Sequence, residues 1–180
     1  DVYKRQVENS AIVYDDGEGT VSTIVCNWFG AGNAGLADPD NDSSIQSYAN
    51  IYDQNWLMKG NVMIAPGVER VDTLKTSDGY EMKSVWSRND LRDTAIMKLS
   101  TATGYIYGYV QDLDTGMWQY IILDFATGET VFTMDVSNKY GYNNMAIGMY
   151  TGSNGNTLYC PTGYLELLRL QDRFVSVSYT

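Results

Sequence analysis

The chain has no histidine, two cysteines, three prolines, and only 12 basic side chains against 22 acidic ones in 180 residues. Without histidine there is no Ser-His-Asp triad, no Cys-His dyad and no His-ligated zinc. A formal charge of -10 and a pI near 4.3 leave no basic groove for a phosphate backbone, so nucleic acid is not an expected partner. No apolar run approaches the roughly 18 residues of a membrane helix, and no membrane span is expected in this segment. Neither GxxxxGK[ST] nor a strand-to-helix GxGxxG occurs, which leaves a nucleotide phosphate cradle unsupported. Two cysteines without framework spacing are read as reduced, buried thiols and say nothing about redox compartment. What remains is 44% hydrophobic, 19% charged and rich in tyrosine, the composition of one folded domain.

Both ends read as foreign. Asp1-Val2-Tyr3-Lys4-Arg5-Gln6 can be encoded by GATGTGTATAAGAGACAG. The reverse complement of that string, read one frame over, gives a codon ending in CT followed by Val-Ser-Tyr-Thr, which matches the closing Ser176-Val177-Ser178-Tyr179-Thr180. One DNA sequence read from opposite strands resembles a translated transposase adapter from shotgun sequencing. Residues 1–6 and 176–180 are therefore set aside as adapter scars, and the natural segment is taken as about 7–175. The true termini are then expected outside it, so the missing signal peptide carries no information.

Short runs rich in Val, Ile, Tyr, Thr and Phe, separated by Gly, Asn and Asp clusters, predict an all-β chain. A repeat emerges around a recurring Ala-Ile pair at Ala11-Ile12, Ala95-Ile96 and Ala146-Ile147. The second copy predicts four strands, A to D, over 95–99, 105–110, 118–123 and 130–136, in a period of about 45 residues. The third predicts strands at 146–150, 157–160 and 164–170, stopping at Asp172. The first predicts 11–14, 21–26, 61–71 and 80–86, with roughly thirty extra residues, about 29–59, between strands B and C. Asp72, Asp124 and Asp172 are taken to mark the end of strand C, and Gly79 and Gly128 to turn the chain into strand D. The expected units are 7–87, 88–137 and a partial 138–175.

Four antiparallel strands repeated in this way are the signature of β-propeller blades. The segment Leu123-Asp124-Phe125-Ala126-Thr127-Gly128-Glu129-Thr130-Val131-Phe132 resembles the Asp-x-x-Thr-Gly-Lys-x-x-Trp blade motif of quinoprotein-like propellers. It differs at Glu129, and at Phe132, where the family has its docking tryptophan. The resemblance covers one blade closely and residues 72–79 loosely; it implies the propeller fold, and the quinone cofactor is not carried over. Asp15-Asp16-Gly17-Glu18-Gly19-Thr20 is similar to the Asp-box of sialidase-type propellers but lacks its Ser and Trp, and reads as a hairpin turn. The expectation is about three blades of a truncated β-propeller, with a β-sandwich of eight to ten strands as the alternative. Three blades cannot close a ring, so the remaining blades of the parent protein are expected partners, and the isolated segment is expected to be poorly soluble or oligomeric.

Alternating strand direction places the insertion on the same face as the loops 87–93 and 138–144. The insertion brings Phe29, Tyr48, Tyr52, Asp53 and Trp56 to that rim, beside Arg88, Asn89, Arg92, Tyr142 and Asn143. Flat rings beside amides, carboxylates and Arg suit a small polar ligand such as a glycan, since rings cover its apolar faces while polar groups fix its hydroxyls. The same rings can instead pack the insertion onto its blade, and the charges can pair with one another. Asp38, Asp40 and Asp42 alternate as carboxylates do around Ca2+, although Ser43 and Ala49 stand where an EF-hand loop has Gly and Glu. Three functions follow: a ligand-binding propeller in an extracytoplasmic setting, a glycoside hydrolase or lyase using Asp53, Asp90 or Asp93, or a structural and protein-interaction platform.

Overall fold

The computed structural model describes residues 11–26, 67–93, 95–112, 115, 117–138, 142, 148–152, 157–161 and 167–171. Among these residues the protein is all-β and contains no α-helix. The first sheet is the antiparallel meander β1 (Ile12–Asp15), β2 (Thr20–Cys26), β3 (Val68–Thr76) and β4 (Gly79–Arg88). The second comprises β5 (Arg92–Asp93) and β6 (Lys98–Ser100), which share one edge of β7 (Tyr105–Gln111), followed by β8 (Trp118–Asp124) and β9 (Thr130–Ser137). The third is β10 (Tyr150–Thr151), β11 (Thr157–Pro161) and β12 (Leu167–Gln171).

Most strands fall where the hydrophobic runs predict them, with three differences among the described residues; of the strand expected at 146–150, Gly148 and Met149 lie outside β10 and only Tyr150 is in it. β3 does not end at Asp72 but continues to Thr76, because the pairs Thr73↔Met82, Leu74↔Glu81 and Lys75↔Tyr80 extend the hairpin to a turn at Ser77-Asp78. Of the expected strand at 95–99 only Lys98 and Leu99 are in a strand, β6, and Ile96 instead forms an isolated parallel bridge to Gly148, just before the third sheet.

Local chemistry builds the turns. Asp16 accepts from the backbone N–H of Glu18 and Thr20, bonds that hold its carboxyl below the ordinary carboxylate range and close the β1–β2 hairpin. Asp124 accepts from the N–H and the hydroxyl of Thr127, and Gly128 follows at φ 73°, where a residue with a Cβ is strained. The same bonds recur at Asp112, which accepts from the N–H and hydroxyl of Thr115. Asp-x-x-Thr-Gly thus occurs at both ends of β8, as Asp112-Leu113-Asp114-Thr115-Gly116 and Asp124-Phe125-Ala126-Thr127-Gly128. Its first role in this chain is to form turns.

Register reveals a repeat whose phase differs from that of the Ala-Ile pairs. Ile12, Ile24 and Arg70 form a row across the first sheet, Lys98, Tyr107 and Ile122 across the second, and Tyr150, Tyr159 and Arg169 across the third. In the first two sheets the row ends at Trp86 and Phe132, beside bulges that fall at the same place, between Arg70/Val71 and Ile122/Leu123. Met97-Lys98 and Met149-Tyr150 are therefore the counterparts of Ala11-Ile12, and Gln171, rather than Asp172, holds the position of Asp72 and Asp124. The pairing obeys burial, not residue identity: sliding a strand by one residue would send its apolar set to the wrong face.

The sheets stack in chain order. Ile24, Cys26 and Val68 of the first meet Met97, Ile106, Val110, Ile121 and Leu123 of the second. The opposite face of the second sheet presents Tyr109, Trp118 and Tyr120 to Met149, Leu158 and Cys160 of the third. Each of these larger apolar side chains contributes roughly 1.5–3 kcal/mol by leaving water. Because the second sheet is covered on both faces, β7 and β8 read as almost continuous apolar runs instead of alternating. At Gly108 a methyl group would sit 2.7 Å from Met97 Cε and 3.0 Å from Ile121 Cγ2, so the missing side chain sets how closely strands approach there. Cys26 and Cys160 lie in the two separate clusters, buried and not joined in a disulfide.

Candidate functional site

Polar side chains mark two places, a set that binds sheet to sheet and the turn that carries Asn89 and Asp90. The first is a clasp thrown from the first sheet onto the Asp124–Gly128 turn of the second. The indole N–H of Trp86 donates to the Phe125 carbonyl at 2.9 Å, and the ring lies against Gly128, where a Cβ would fall 2.5 Å from Cδ2. Arg70 donates to the same carbonyl at 3.0 Å, stacks 3.9 Å above the Phe125 ring and forks onto Asp72 through Nε and Nη2. Arg88 donates to the Gly128 carbonyl and Thr130 hydroxyl, and forks onto Asp90 at 2.8 and 2.6 Å. Tyr14 closes the edge of the Phe125 ring.

Electrostatics fix the charge state of this clasp. Burial alone would raise the Asp72 carboxyl, but hydrogen bonds from Arg70 and Ser22 hold it below the usual carboxylate range. The Arg88 fork lowers Asp90 in the same way, and Arg88 itself is raised by Asp90. Both carboxyls therefore bind protons more weakly in the folded state than in the unfolded state. Their stabilisation is present above the unfolded value near pH 3.9 and is lost as pH falls through the lower folded values. The urea midpoint is expected to be flat from pH 7 to 5 and to fall below about pH 4. Asp72→Asn should be less stable at pH 6 and show a shallower acid decline; an unchanged decline would contradict the assignment.

At the other end of the first sheet, the antiparallel order brings together the end of β2 at Cys26, the start of β3 at Val68 and the turn 89–91. The opposite end carries the turns 16–19, 77–78, 101–104 and 125–129, tied by Lys75 N–H to the Gly19 carbonyl and by Phe125 N–H to the Gly104 carbonyl. At the loop end, Gly67, where the 27–66 connection returns, lies so close to Asn89 that a methyl group on it would be 3.4 Å from Asn89 Oδ1. Gly67 and the 89–91 turn thus share one end of the first sheet.

The predicted site residues separate into distinct groups. Asn89 and Asp90 lie together on the 89–91 turn, Asp90 with its side chain 63% exposed. Arg88 lies beside them, but its guanidinium is engaged with Asp90, Gly128 and Thr130, so its role here is to join two sheets. Asp93 is fully buried on β5, accepts from Ala95 N–H and faces Cys26, whose thiol is pushed well above its ordinary value by burial and by that carboxyl. That thiol stays protonated and is a poor nucleophile. Arg92 is on β5 beside it. Tyr142 packs against the core between the second and third sheets, and its carbonyl accepts from the Tyr109 hydroxyl at 2.9 Å. Asp38, Asp40, Asp42, Tyr52, Asp53, Trp56 and Asn143 lie outside the described residues. Among the described residues no group of three or more His, Cys, Asp or Glu could hold a metal ion, and no helix is long and apolar enough to cross a membrane.

Sequence reasoning did not find Arg70 or Trp86, the side chains that do most in the clasp. The signal was present in part: Arg70 and Asp72 are two apart on a strand and so share a face. Trp86 was hidden because the residue that grips an Asp-x-x-Thr-Gly turn comes from the preceding sheet, whose hairpin is longer. No protein-family model, curated protein or solved structure matches the chain.

Proposed function

We propose that the three sheets are consecutive blades of a truncated β-propeller, and that its loop-bearing end binds a small polar ligand of carbohydrate type. Four features support the propeller: meanders stacked in chain order, the common register row, the shared bulge, and the isolated parallel bridge between Ile96 and Gly148, on the segments that lead into β6 and β10. Trp86 performs for the next sheet's turn what a docking tryptophan performs, and Phe132 occupies the matching place on the second sheet. A two-layer sandwich has no need of a central sheet covered on both faces.

The ligand reading is carried by the closeness of Gly67, the residue that follows the aromatic-rich segment 27–66 in sequence, to Asn89 on the turn that bears Asp90. Rings from the insertion would cover the apolar faces of a sugar, Asp90 would accept from its hydroxyls, and the Asn89 amide would donate to them. The hydrolase reading has less support, since Asp90 is held ionised by Arg88 and Asp93 is sealed in the core.

Saturation-transfer NMR and calorimetry against a panel of neutral and acidic oligosaccharides test this reading. Binding should be lost at least about tenfold in Trp56→Ala and in Asn89→Ala, a difference of roughly 1.4 kcal/mol, with the fold unchanged. Failure of the whole panel to bind, or equal binding by both variants, would overturn it.

A further inference from the structure

We propose that the outward face of the first sheet is a docking surface for the third sheet of a second copy of this chain, packed head to tail. Such packing rests on the stacked-repeat reading and is independent of any ligand.

The register shows what the face is built to meet. Val13, Thr23, Val25 and Val71 point away from the second sheet, and their counterparts in that sheet are Leu99, Ile106, Gly108 and Leu123. Those four positions lie on the face that the first sheet itself covers. The outward face of the first sheet is thus the acceptor half of an interface that this chain already makes, and it is enlarged by Tyr80, Val85 and Met82, the last 73% exposed. The donor half recurs at the far end of the stack. Tyr150, Tyr159, Leu167 and Arg169 of the third sheet occupy the positions of Ile12, Ile24, Val68 and Arg70, the residues with which the first sheet covers the second. Leu167 is 60% exposed where Val68 is fully buried.

The exposed Arg169 and the carboxylate of Glu69 also put opposite charges on the two faces. The contact is heterologous, with different patches on the two copies, so chains can close into a ring or extend as a filament.

Heterologous packing makes a prediction that nonspecific aggregation does not. Light scattering coupled to size exclusion, at about 100 µM and in 150 mM salt to screen the acidic charge, should show a mass above the 20.1 kDa of one chain, rising with concentration. Met82→Glu blocks the acceptor face and Leu167→Glu the donor face; both positions are exposed, and circular dichroism checks that each variant is folded. Each variant alone should run as a monomer. Mixed, they should form a one-to-one dimer, because each still carries the half that the other lacks. Should either variant misfold, Val13→Glu and Arg169→Glu block the same two faces. A monomeric parent, undiminished association of either single variant, or failure of the mixture to pair would each overturn the proposal. Glycan binding by a monomer would leave the ligand reading standing while this one falls.

Discussion

Gly128→Ala is expected to destabilise the protein by about 3 kcal/mol, a large share of the 5–15 kcal/mol that holds a typical domain together. Two costs combine. Gly128 has φ 73°, which alone disfavours alanine by roughly 1 kcal/mol. The added methyl group would also lie 2.5 Å from Cδ2 and 2.8 Å from Cε3 of the Trp86 indole, closer than any real contact, so the ring must leave. Its departure breaks the 2.9 Å bond to the Phe125 carbonyl and opens the seam between the first two sheets. A double-mutant cycle separates the costs. In a Trp86→Ala background, Gly128→Ala should cost only the backbone share of about 1 kcal/mol, leaving a coupling near 2 kcal/mol in urea unfolding. A coupling near zero would show that the indole does not hold the turn.

Trp118→Ala should cost about 3–5 kcal/mol, the largest single effect expected in the chain. The residue is fully buried at the centre of the cluster between the second and third sheets, stacked at 5.9 Å and 4° on Tyr109, which in turn meets Tyr120 edge-on at 5.4 Å. Burial raises the hydroxyls of both tyrosines well above their ordinary values, so both stay neutral in the folded state. Trp118 Nε1 finds no acceptor among the described residues. Trp118→Phe should therefore cost only about 1 kcal/mol, because it removes a buried donor without a partner along with some volume. Thermal unfolding of the two variants checks the pair. Equal losses would mean that the indole N–H is satisfied in solution, and a negligible loss in Trp118→Ala would mean that the third sheet is not packed on the second.

The strand pattern was legible because strands leave short β-branched and aromatic runs and glycine-marked turns, and Gly79 and Gly128 turn the chain where the sequence expects them. The repeat was legible only in outline. Ala-Ile is a marker of composition, whereas the register is fixed by which face is buried, and the two disagree by two residues in the second sheet and three in the third. The site was less legible still. Arg88 and Asp90 stand next to Asn89 in sequence as in space, but nothing local shows that Arg88 is occupied by Gly128, forty residues on. Asp93 looked like a loop acid because its neighbours are polar, yet pairing with Val110 draws it into the core beside Cys26.

By itself the sequence determined the all-β class, the order of the strands, the turn residues and the chemistry excluded by lacking histidine, because each depends on residue type or on neighbours a few positions away. The tertiary structure alone decided which sheet covers which, that the second is buried on both faces, and that Trp86, Arg70 and Arg88 clasp a turn belonging to the next sheet. Those contacts join residues 39 to 55 positions apart. No periodicity encodes them; they follow from the twist and stacking of whole sheets.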